Sequence, residues 1–148
     1  MNNLDISFVN KFKLNELAIK NVGNWIISLR PQQPTMGSIL LTLNRKCELL
    51  SSISEDEGRE LSKAFSEIDR IYKLTFKPDK INYLALMMVD NQVHFHVIPR
   101  YSEKMLFDNK EFVDEKWPGP PTLESINLDP VQILKILELF KSIESEHK

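Results

Sequence analysis

The sequence predicts an α+β domain: a mostly antiparallel sheet of about five strands, one long helix after the first hairpin, and a second helix near the C-terminus. Three observations point there. Strand-length apolar runs, LAIKNVGNWIISLRP, SILLTL, INYLALMMV and QVHFHVIPR, are separated by Gly, Pro or Asp-Asn turn signals. Between SILLTL and INYLALMMV lies a segment whose apolar residues recur at spacings of three and four. A second segment of that kind follows Asp129-Pro130 near the C-terminus.

The elements follow in order. The first forty-odd residues read as strands and turns, with Gly23 inside the first apolar run and Pro31 ending it. QQPTMG turns through Pro34 and Gly37 into SILLTL, so these two strands form the first antiparallel pair. Ser54 and Glu57 form a capping-box pattern, and acidic residues crowd the first turn, where the helix dipole favours them. Leu61, Ala64, Phe65, Ile68, Ile71 and Tyr72 then form one apolar stripe. Pro78 breaks that pattern. INYLALMMV reads as a strand, and Asp90-Asn91 as a two-residue hairpin turn that pairs Val89 with Gln92, Met87 with His94 and Ala85 with His96. WPGPP, residues 117–121, is a stiff extended loop. In the last helix Val131, Leu134 and Leu137, flanked by Ile133 and Phe140, form the expected apolar face.

Size and composition narrow the function classes. The 148 residues suit one domain, whose C-terminal part over 102–148 carries the Pro-rich loop and the helix. A formal net charge of −2 gives no general attraction for nucleic acid or an anionic membrane. The single cysteine, Cys47, excludes an internal disulfide and a Cys-rich zinc site. No basic start leads into an apolar core at the N-terminus, and no apolar run approaches the ~20 residues of a membrane span, so a cytoplasmic protein is expected.

Two of the three histidines stand in QVHFHVIPR. On a strand, Gln92, His94 and His96 share one face, the imidazoles ~6–7 Å apart along it. Such a row reads first as a polar sheet surface, then as a catalytic site, and last as a metal pair. A metal needs further ligands; Cys47 lies beyond the preceding strand and His147 in the terminal tail, so neither a metal nor a cofactor is expected.

The wider context favours catalysis. Gln92-Val93-His94-Phe95-His96-Val97-Ile98, followed by Pro-Arg-Tyr, resembles the His-φ-His-φ-His-φ-φ signature of the histidine triad (HIT) family of nucleotide hydrolases and transferases, φ being apolar. PTMGSILLTLNR, SSISEDEGRELSKAF and DKINYLALMMVDNQ resemble the strand, helix start and strand that precede that signature. The likeness runs from about Phe12 to Tyr101. It departs at three places: Gln92 stands at the first triad position, Gly37-Ser38 replaces a frequent Gly-His, and Asp90-Asn91 makes a short loop before the signature.

The resemblance implies that His94 attacks the α-phosphate of a purine nucleotide ester, anhydride or phosphoramidate and forms a nucleotidyl-histidine. It implies that the backbone carbonyl of Gln92 holds the other ring nitrogen of His94, and that His96 steadies the phosphate. The Gln92 side chain would offer amide N–H groups but no titrating proton. Arg30 and Ser38 fall where the family binds nucleotide sugar and phosphate. A homodimer is implied; nucleic acid and membrane are not expected partners. Asn82 falls on the opposite face from His94 by hairpin parity, Arg100 suits an ion pair or a subunit contact, and Trp117 either covers the base or docks on the sheet edge. The rival readings are a nucleotide-binding module without turnover and a His-x-His metal protein.

Overall fold

The computed structural model describes residues 3–146. Its centre is a five-stranded antiparallel sheet, β1 (Ala18–Val22), β2 (Trp25–Leu29), β3 (Ile39–Leu43), β4 (Lys80–Leu84) and β5 (His94–Arg100), in the spatial order β1-β2-β3-β5-β4. Every residue of β2 and β3 is buried, because the sheet is covered on both faces. That is why both strands read as continuous apolar runs rather than alternating ones.

One face carries Trp25, Ile27, Leu29, Ile39, Leu41, Leu43 and Val97. Against it pack α3 (Glu55–Leu74), through Ala64, Ile68, Ile71 and Tyr72, and α4 (Pro130–Glu146), through Ile136, Leu137, Phe140 and Ile143. The capping box forms as expected: Glu57 N donates to Ser54 Oγ at 3.1 Å and Ser54 N donates to Glu57 Oε2 at 3.4 Å. The face of α4 differs from the expected one. Val131 and Leu134 are 60% and 52% exposed, and the buried stripe runs through Ile136, Phe140 and Ile143 instead. These residues continue the three- and four-residue spacing from Ile133, which meets the core better than Val131 does.

The opposite face carries Ile26 and Leu40, covered by two short N-terminal helices, α1 (Ile6–Lys11) and α2 (Leu14–Leu17), where only strands and turns were expected. Leu4, Phe8, Val9, Phe12 and Leu14 form this second apolar cluster. Asp5 caps α1 by accepting a bond from Ser7 N at 2.8 Å.

The β4–β5 pairing differs from the expected tight hairpin. Leu84 faces His96, Tyr83 faces Val97 and Asn82 faces Ile98, one residue away from the predicted register, and β4 ends at Leu84. Residues 85–93 form a loop in which Met87 adopts φ 44°. The approach to β5 is drawn to the other side: Val93 N donates to Cys47 O at 2.7 Å and Leu43 N donates to Val93 O at 3.2 Å. One residue of slip reverses the faces. Asn82 therefore shares the face of His94, where its side-chain oxygen accepts from Arg100 Nη1 at 2.7 Å. Tyr83 turns away and packs on Phe65 of α3 at 4.8 Å between ring centroids.

A second sheet, β6 (Met105–Phe107) and β7 (Lys110–Phe112), turns through Asp108 and Asn109 at φ 52° and 60°. Arg100 and Asp114, both nearly inaccessible, form an ion pair at 2.7 Å that ties the segment after β7 to β5. Among the described residues no helix is long and apolar enough to cross a membrane.

Candidate active site

Strand parity builds the site. Arg30 continues the alternation of Ile26 and Ser28, and the ladder pairs Thr42 with His94 and Leu40 with His96, which places Arg30 and both histidines on the α1 face. His94 and His96 are buried, 1% and 5% exposed. The Phe12 and His96 rings meet in a T-shaped arrangement with centroids 6.3 Å apart, and the Phe8 and His94 rings likewise at 5.2 Å.

A directed chain of hydrogen bonds links the polar atoms. Arg30 Nε donates to His96 Nδ1 at 3.3 Å. His96 Nε2 and His94 Nε2 face each other at 3.3 Å. His94 Nδ1 lies 2.5 Å from the carbonyl oxygen of Gln92. A guanidinium only donates and a carbonyl only accepts, so for two neutral rings one arrangement satisfies all three contacts. His96 carries its proton on Nε2 and donates it to His94 Nε2, while His94 carries its own proton on Nδ1 and donates it to Gln92 O.

Burial favours the neutral rings. It lowers the pKa of His94, against the raising effect of the bond to Gln92. Burial pushes His96 down to about 3, with the His94 and Arg30 charges acting the same way. His94 thus has what a nitrogen nucleophile requires near neutrality: an unprotonated ring atom, held in orientation by a bond on the other side.

A cavity of about 350 Å³ opens onto this row, lined by both histidines, Arg30 and Gln32, by Lys11 of α1 and Phe12 that caps it, by the loop 86–90 and by Leu123. Its size falls within the range of small-molecule sites. Lys11 Nζ and Asp90 Oδ2 meet at 2.7 Å, joining α1 to the loop, while Met88 and Val89 stand exposed beside them.

The remaining predicted residues fall in several places. The Gln92 side chain does not enter the site; its Nε2 donates to Leu43 O at 2.9 Å and Arg45 O at 2.8 Å. Its amide N–H groups are therefore not on offer to a phosphate, contrary to expectation. Ser38 is fully buried and does not line the cavity. Its Oγ donates to Thr35 O at 2.9 Å inside the β2–β3 turn. That turn is organised by Gln33, whose amide donates to Arg30 O and Ser38 O and accepts from the N–H groups of Gly37 and Ser38. Gly37 has φ 88°, and a Cβ there would meet the Phe76 ring at 2.8 Å. Arg100 makes the expected ion pair. Trp117 lines a separate groove along the open edge of β4, whose lining contains neither histidine. His147 lies outside the described residues. Among those residues no third His, Cys, Asp or Glu joins the two rings in a metal-binding group.

The sequence reading missed the contribution of α1, and of the loop 86–90 it set only Met87 opposite His94. The spacing of Leu4, Phe8 and Phe12, with Asp5 as a cap, carried the helical signal.

No protein-family model and no curated protein matches the sequence. Solved structures do. A histidine triad protein from Marinobacter aquaeolei VT8 superposes with a TM-score of 0.66 at 18% identity, covering 92% of this chain and 95% of the other. The diadenosine triphosphate hydrolase of Plasmodium falciparum, solved with cyclomarin A, gives 0.62 at 16% identity over 88% of this chain and 77% of that one. A zinc-bound histidine triad family protein from Mycobacterium smegmatis gives 0.56 at 16%, over 88% and 87%. The chain has the fold of histidine triad proteins.

Proposed function

We propose that the protein is a nucleotide hydrolase or nucleotidyl transferase that acts at the α-phosphate of a purine nucleotide derivative through a covalent intermediate on His94. The observation that carries this reading is the orientation of His94: Nδ1 on the Gln92 carbonyl, Nε2 toward His96 on a cavity wall. The likeness to a diadenosine triphosphate hydrolase adds support at the level of the fold.

The lone pair of His94 Nε2 attacks the α-phosphorus, and the bond from phosphorus to the leaving group breaks. The leaving group takes that electron pair and accepts a proton from solvent at the cavity mouth. His96 turns its Nε2–H from His94 to a phosphoryl oxygen and stabilises the charge that develops there. Arg30, on the same wall, is assigned to the phosphate. Water then attacks phosphorus, the P–N bond returns its pair to Nε2, the proton of water passes to solvent, and a nucleoside monophosphate leaves. Gln92 serves through its backbone carbonyl. Ser38, engaged in its turn, takes no part.

The open edge of β4, at one end of the sheet, suits pairing with a second copy in a homodimer. The test of the chemistry is intact-mass analysis after mixing with an adenosine phosphoramidate. Adenylated protein or AMP release is expected from the wild type and not from His94→Ala. Nucleotide binding with neither adduct nor release would instead identify a binding module without turnover.

A further inference from the structure

We infer that Arg30 is a positioning residue for His96: by donating Nε–H to His96 Nδ1 it compels that ring to carry its proton on Nε2, and so makes His96 a donor to whatever the cavity holds. The inference rests on the nucleotidyl-transfer reading above and adds to it a task beyond phosphate contact.

The arrangement is built. Arg30 is buried, 7% exposed, and its Nη1 donates to Gln32 O at 2.8 Å. Its backbone is held at both atoms: N donates to Ser38 O at 3.0 Å and O accepts from Gln33 Nε2 at 2.7 Å. The guanidinium is therefore fixed before any ligand arrives, with its Nε–H aimed at one ring atom. A guanidinium has no acceptor, so a proton on His96 Nδ1 would face a donor at 3.3 Å. The neutral ring with hydrogen on Nε2 is the form this contact permits.

Two consequences follow. With no ligand, the Nε2–H of His96 covers the lone pair of His94; a phosphoryl oxygen that takes over this hydrogen bond uncovers the nucleophile. The attacking group is thus freed by the atom group it will attack. Arg30 also places a permanent positive charge beside His96, whereas the Gln92 amide is neutral and bonded away from the cavity to the Leu43 and Arg45 carbonyls.

The test is ¹⁵N NMR of the imidazole rings at neutral pH, read beside adenylation kinetics with an adenosine phosphoramidate. In the wild type, His96 is expected with Nε2 protonated and Nδ1 bare, and His94 with Nδ1 protonated. Arg30→Met is expected to mix the His96 tautomers and to slow kcat by about 10²-fold. Arg30→Lys restores charge without the fixed fork and is expected to fall between. A His96 proton on Nδ1 in the wild type overturns the inference, even if Arg30→Met fails to fold. An unchanged His96 spectrum in folded Arg30→Met overturns it as well and leaves Arg30 as a phosphate contact. The expected tautomers without any adenylation support the positioning role and count against the nucleotidyl-transfer reading alone.

Discussion

Gln92 faces two ways: its side-chain amide donates to Leu43 O at 2.9 Å, while its backbone oxygen meets His94 Nδ1. Gln92 thus keeps its backbone toward the His94 ring and turns its side chain into the framework. Gln92→Ala removes the donor to the Leu43 and Arg45 carbonyls and is expected to cost about 1–3 kcal/mol of stability, measured by urea denaturation. The same variant, once folded, should still form the adenylated protein, because the oxygen that orients His94 is retained. Loss of the adduct in a fully folded Gln92→Ala protein would place the side chain in the chemistry.

Stability should fall in mild acid, and His96 gives the sign. Folding moves its pKa from 6.5 to about 3. Between those values the unfolded chain binds more protons, so stability is full above pH 6.5 and declines as the pH is lowered toward about 3. The expected loss between pH 7 and pH 5 is about 2 kcal/mol. Denaturant titrations at several pH values test it, and His96→Asn should flatten the profile. A wild type equally stable at pH 5 and pH 7 would show that the ring ionises in the fold.

Phe12 is 2% exposed and lies against both imidazoles. Phe12→Ala is expected to cost about 3 kcal/mol. It also admits water to the rings, so both histidines should titrate closer to their ordinary value. NMR titration of the histidine resonances reads this directly, and unmoved resonances would mean that α1 does not supply the desolvation.

Ser38→Ala should leave nucleotide affinity unchanged and cost about 1 kcal/mol through the bond to Thr35 O. Calorimetric binding of AMP to the two proteins makes the comparison. A several-fold weaker affinity in the variant would restore Ser38 to the ligand site.

Sequence and structure agree where the signal is local. Ser54 and Glu57 announce α3, and Ala64, Ile68, Ile71 and Tyr72 give its buried face, because capping and helical spacing are read within a few residues. His94 and His96 were placed together by strand parity alone. Tertiary contacts decided the rest. Asp-Asn occurs twice, and the tight hairpin forms at Asp108-Asn109, where the flanking strands have only each other. At Asp90-Asn91 the bonds from residues 92 and 93 to residues 43–47 prevail and the expected hairpin is absent. The bond of Arg30 to His96 spans 66 positions and has no local mark.

Lys11 and Asp90, which meet at the cavity mouth, lie 79 positions apart in the chain. The cavity joins four separate parts of the chain: Lys11 and Phe12, the end of β2 with Gln32, residues 86–96, and Leu123. Residues 86–96 supply the loop and both histidines, and the remaining walls come from segments remote from them in the chain. The Lys11–Asp90 contact exists only once the two ends of that long stretch of chain are brought together. The histidine pair is therefore a reporter on the completed topology, since a chain with its helix and its first hairpin in place would still lack the roof over His94.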